Sequence, residues 1–199
     1  MMQELINNQS TLKIDLGFKP CDFKFSNDLT PEISSELDID CSEIWIEEIK
    51  NWIGYLRSNT VYNPPPVILE NLLFSLGLEF TDDRSIAELN SSWRNKQSPT
   101  DVLSFPILGQ NVLYPKDQYI ELGDIVVSVE TAHKQALSHN HSLLYELRWL
   151  VCHGFLHLLG WDHSDESSFN EMMLIQEKLL CFSSHFYLKV NSKDLSANE

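Results

Sequence analysis

No stretch of this 199-residue chain approaches the roughly 20 apolar residues that a membrane-spanning helix needs. The nearest run, Leu147 to Trp161, is interrupted by histidines. Met1 to Gly17 has neither a basic start nor an apolar run, so no secretory signal is expected. Cysteine is scarce: Cys21, Cys41, Cys152 and Cys181 fall at no framework spacing, which argues against a disulfide scaffold. Cys152 and Cys181 read as core residues, and no internal repeat occurs. These absences point to a globular, cytoplasmic protein with reduced thiols and no membrane association. Positive charge is also short. Lys and Arg number 14 against 29 Asp and Glu, a net charge of −15, whereas nucleic-acid-binding domains are normally basic.

The acidic excess is unevenly placed. From Arg84 to Arg148 there are six basic residues (Arg84, Arg94, Lys96, Lys116, Lys134, Arg148) against seven acidic ones. Glu32, Glu36, Asp38, Asp40, Glu43, Glu47 and Glu48 form an acidic run elsewhere. A face built from the middle of the chain can be near neutral, with a divalent cation supplying local positive charge.

Histidine is present in concentrated form. Residues 153 to 163 read H-G-F-L-H-L-L-G-W-D-H. On an α-helix, residues four apart project within roughly 40° of each other and rise about 6 Å. His153 and His157 can therefore grip one ion from one helix face. Gly160 can take the positive φ that ends a helix, and the turn can return His163 to the same ion. Three imidazoles are a catalytic zinc set with a fourth position open to water. Zinc is favoured by ligand type, one ion per chain, with nickel or another divalent ion as the alternative. Cys152 points about 100° away from His153 and is not the obvious fourth ligand.

The spacing is that of the metzincin peptidases, whose residue after the first histidine is a glutamate base. Here that residue is Gly154, which can neither take nor return a proton. A Lewis acid without that base suits phosphodiester cleavage better than peptide hydrolysis. A zinc peptidase remains the first alternative. The second is a non-catalytic, ribosome-associated zinc protein, which would need a fourth protein ligand.

The segment resembles the signature of the YbeY family of bacterial endoribonucleases, the rRNA maturation factors, H-G-x-L-H-L-x-G-Y-D-H, with Trp161 in the tyrosine position. Leu89 to Pro106, L-N-S-S-W-R-N-K-Q-S-P-T-D-V-L-S-F-P, is similar to that family's L-N-x-x-Y-R-x-K-x-x-P-T-D-V-L-S-F-P. Gly123-Asp124-Ile125-Val126 is similar to its G-D-I-V strand opening. The likeness covers roughly residues 35 to 183. It implies a single-strand-specific, zinc-dependent endoribonuclease acting in small-subunit rRNA 3′-end maturation and ribosome quality control. Single-stranded RNA, rRNA and the small ribosomal subunit are the implied partners, with no DNA. His153, His157 and His163 would be metal ligands and part of the catalytic set. Arg94 falls on the family's catalytic arginine and would stabilise charge on phosphate oxygens. This chain has W-R-N-K-Q where the family usually has Y-R-G-K-D. Its acidity predicts weak intrinsic RNA affinity, so that the ribosome or a partner delivers the substrate.

The pattern predicts an α+β fold, one domain with a small mixed sheet packed against helices, and the metal site on the penultimate helix and following turn. Residues 1–30 are expected to be a poorly ordered extension, 31–183 the endoribonuclease domain, and 184–199 a polar tail. The loop after Pro106 is long enough to form a flap over the site. Thr100, Asp101, Ser104 and Asp124 either shape the cleft or pack at strand ends. Asp162 either orients an imidazole or forms the turn. His139 and His141, in S-H-N-H-S, are expected to be solvated.

Overall fold

A computed structural model describes residues 12–21, 39–109, 114 and 118–195, with backbone alone for 184–195. Strand β1 is Lys13–Lys19 and helix α1 Ser42–Ser58. A 3-10 turn, Thr60–Tyr62, and a short helix α2, Pro66–Glu70, lead to β2, Leu73–Thr81. Then come α3 (Asp83–Arg94), β3 (Val102–Pro106), β4 (Ile120–Ser128), α4 (Val129–His139), α5 (Leu143–Leu158) and α6 (Glu166–Leu195). The strands form one mixed sheet in the order β1-β2-β4-β3. β1 and β4 run parallel to β2, and β3 runs antiparallel to β4. The α+β expectation holds.

Period-two alternation sets the sheet faces. Phe74, Leu76, Leu78 and Phe80 of β2 are buried on one face, where α1 contributes Trp45, Ile49, Trp52, Ile53 and Leu56. The opposite face carries a smaller cluster, Ile86 of α3 with Leu103 and Val126. α5 is buried nearly all round, because it lies between the sheet and α6 and buries Leu147, Val151, Phe155 and Leu156. Gly154 lets it approach: a Cβ there would sit 2.8 Å from Ile125 Cγ2 and 3.1 Å from Ser104 Oγ.

Three expectations need correction. Lys13–Lys19, inside the segment expected to be poorly ordered, is β1, and Lys13 to Lys19 register against Leu73 to Glu79. The rest of 1–30, apart from Leu12, Pro20 and Cys21, lies outside the described residues. The segment expected to be a polar tail, 184–199, is helical as far as Leu195, because it continues α6. Cys181 itself is exposed, whereas Cys152 is buried as expected. The loop expected to act as a flap lies largely outside the described residues, at 110–113 and 115–117.

Candidate metal centre

Each histidine reaches the site for a local reason. Ser142 caps α5, its Oγ accepting the Tyr145 N–H at 3.1 Å, and this fixes the helix that carries His153 and His157. At the other end the Gly160 N–H bonds the His157 carbonyl at 3.0 Å and the Trp161 N–H bonds the Leu156 carbonyl at 3.1 Å. That paired closure needs a left-handed residue between them, and Gly160 supplies it at φ 95°. The chain then doubles back. The His163 ring centroid lies 5.5 Å from that of His153 and 5.0 Å from that of His157. One nitrogen from each of the three rings falls within 4.8 Å of the others.

His153 and His157 bring their Nε2 atoms to 3.2 Å. Two nitrogens each about 2.0–2.1 Å from a tetrahedral zinc are separated by about 3.3–3.4 Å, so the spacing suits one shared ion. The tautomer follows from a hydrogen-bond chain. Gln176 Nε2 donates to the Trp149 carbonyl at 3.1 Å, which turns Gln176 Oε1 towards His153 Nδ1, 3.1 Å away. An amide oxygen can only accept, so Nδ1 carries the proton and Nε2 is left with a bare lone pair. Burial first, then the His163 imidazole, holds the pKa of His153 below its ordinary value. Burial, then His153 and His163, push His157 down to about 4. Both rings are therefore neutral at pH 7, as metal ligation requires.

The three histidines line a cleft of about 610 Å³ together with Arg94, Thr100, Asp101 and Ser104. Arg94 is exposed at the end of α3 and makes no hydrogen bond or ion pair with the described residues. Asn95, where the resembled family has glycine, closes α3 at φ 56°; asparagine tolerates that region, so the turn after Arg94 survives the exchange. Of the other candidate cleft residues, Thr100, Asp101 and Ser104 line it, while Asp124 lines a separate hollow beside Gly77 and Trp93. Asp162 takes its turn-forming role: its Oδ1 accepts the His163 N–H at 2.8 Å.

Gln176, which does hold an imidazole, was not singled out from sequence. Its signal is a polar residue inside the buried stripe Met172, Ile175, Leu179 and Leu180, itself fully buried. Two basic residues counted towards the substrate face are spent elsewhere. Arg148 is buried against Glu48, with Nε 2.6 Å from Oε1, and Lys134 pairs with Asp83 at 2.6 Å. The peptidase alternative loses its footing, because position 154 packs on Ile125 and Ser104 and leaves no room for a glutamate stem. Among the described residues the group that could hold an ion here consists of the three histidines.

Comparison with known proteins places the chain in a family. Residues 42–183 match the family model described as Endoribonuclease YbeY. A Prochlorococcus marinus protein called Endoribonuclease YbeY is 47% identical over 169 residues, 85% of this chain and 86% of that one. A Synechococcus protein of the same description is 52% identical over 136 residues, 68% of this chain and 76% of its own. A solution structure of a Thermotoga maritima protein aligns with 88% of this chain and 95% of its own at 20% identity, with a TM-score of 0.46.

Proposed function

The chain belongs to the YbeY endoribonuclease family, and from that premise we propose that it is a zinc-dependent endoribonuclease that cuts single-stranded RNA during maturation of small-subunit rRNA. The observation that carries the reading is the shared cleft, lined by three imidazoles that could hold one ion and by an arginine with no side-chain partner among the described residues.

His153, His157 and His163 would hold the ion. When bound, it supplies Lewis acidity to a phosphoryl oxygen and acidifies water at neutral pH. The chain's own groups do the rest. Gln176 keeps the His153 proton on Nδ1, so Nε2 stays available for the ion. Arg94, with no anionic partner among the described residues, would offer a planar donor fork to the phosphate and to the negative charge that grows on its oxygens. The absence of a carboxylate base at Gly154 is compatible with this chemistry, since the RNA 2′-hydroxyl or water can be the nucleophile.

The −15 net charge disfavours strong intrinsic RNA binding. Delivery by the small ribosomal subunit in the cytoplasm would supply the local concentration that charge does not. The test is cleavage of an end-labelled single-stranded RNA by zinc-loaded protein, beside the same sequence in a duplex. Cutting confined to the single strand is the expected result. Equal cutting of both, or undiminished cutting after chelation of the metal, would overturn the reading.

A further inference from the structure

His139 and His141, expected to be solvated linker residues, are gathered by the fold. Asn140 closes α4 in the left-handed region at φ 57°, ψ 44°, and the His141 N–H turns back to the Ala136 carbonyl at 3.1 Å. The reversal sets the two imidazole rings side by side, with centroids 5.5 Å apart. Beneath them lies Glu146, in the first turn of α5, with only 4% of its surface exposed. His141 Nε2 is 2.9 Å from Glu146 Oε2, and His139 Nδ1 is 3.8 Å from the same oxygen. All three donor atoms lie within 4.8 Å of one another.

We propose that His139, His141 and Glu146 form a second divalent-cation site, distinct from the three-histidine centre, for a borderline ion such as zinc, nickel or copper. Two imidazoles and one carboxylate are a donor set that zinc uses with a position left open, and imidazole-rich sets favour these metals over magnesium or calcium. Ligands about 2.0–2.2 Å from a tetrahedral ion lie about 3.3–3.5 Å apart. The 2.9 and 3.8 Å separations bracket that value. The His139 side chain is 60% exposed, so its ring can swing into place without disturbing the core.

The buried carboxylate gives the site its driving force. A desolvated anion is costly unless a positive group compensates it. The imidazole nitrogens lie 2.9 and 3.8 Å from the Glu146 carboxylate, and a divalent ion held between them would set two positive charges beside it. The position also matters to the cleft. Glu146 and His153 are seven residues apart on α5, on one helix face and about 10.5 Å along the axis. Asp101, which lines the cleft, acts electrostatically on both of them. An ion at the second site thus places positive charge beside the acidic wall of the cleft and favours phosphate there.

Equilibrium dialysis against zinc, with metal counted per chain, tests the proposal without relying on RNA cleavage. The His153→Ala, His157→Ala double variant should keep one zinc per chain, and adding His139→Ala should abolish it. In the otherwise unaltered chain, His139→Ala should lower the count from two to one, a subtraction that holds even if the double variant folds poorly. Absence of zinc from a folded double variant would reduce the cluster to a histidine–carboxylate ion pair. A count still at two zinc ions per chain after His139→Ala and His141→Ala together would also overturn the proposal.

Discussion

The N-terminal half of α5 and its C-terminal end carry polar groups of similar potency and treat them oppositely. Arg148, in the first half, is 8% exposed, and its guanidinium is used up: Nε meets Glu48 at 2.6 Å and Nη2 meets Ser183 Oγ at 2.7 Å. At the other end His153 and His157 line an open cleft, and Arg94, which also lines it, has no side-chain partner among the described residues. The difference separates architecture from chemistry. A charge enclosed by the fold is neutralised by the fold, while groups kept ready for a ligand converge on one space and lack protein partners there.

Substitution of each arginine in turn sharpens that contrast. Arg148→Ala strands Glu48 in the core and should cost about 3–5 kcal/mol of stability, measured by urea unfolding. If stability held and only cleavage fell, Arg148 would belong with the site and the division along α5 would fail. Arg94→Ala should do the reverse: cleavage slower by about 100- to 1000-fold, with metal content and unfolding midpoint unchanged. Normal cleavage by that variant would remove Arg94 from the chemistry. The smallest effect concerns Gln176, which stands between the two classes because it is buried yet serves an open ligand. Gln176→Ala should weaken zinc binding about 10- to 100-fold, read by competition with a chelator, and Gln176→Glu, which keeps an acceptor, should recover most of it. Unaltered affinity in Gln176→Ala would mean that helix spacing alone orients His153.

The centre was legible in the sequence because its parts are local. His153, His157, Gly160 and His163 lie on one helix and its closing turn, so the 3.6-residue period and one positive φ suffice to bring them together. Partners distant along the chain were not legible in this way. Gln176 lies 23 residues from His153, and Glu48 lies 100 from Arg148; both meetings depend on how whole helices pack. Arg148 therefore counts with the basic residues of the substrate face, and His141 with the solvated linker, although each faces a buried carboxylate. The missed strand is a different case. K-I-D-L-G-F-K alternates with period two, and Ile14, Leu16 and Phe18 pack on the core as that pattern requires. The residues around it are polar and mixed, which masks the alternation, and a seven-residue strand gains its stability only from pairing with β2.

The most direct test of a metal-dependent ribonuclease centre is to assay His157→Ala beside the unaltered protein, measuring bound zinc and cleavage of a labelled single-stranded RNA on the same preparations. The unaltered chain should bind the ion at this centre and cut. The variant should lose that ion and its cleavage together while keeping its helical content. A folded variant that cuts as fast as the unaltered chain would place the activity somewhere other than the three histidines.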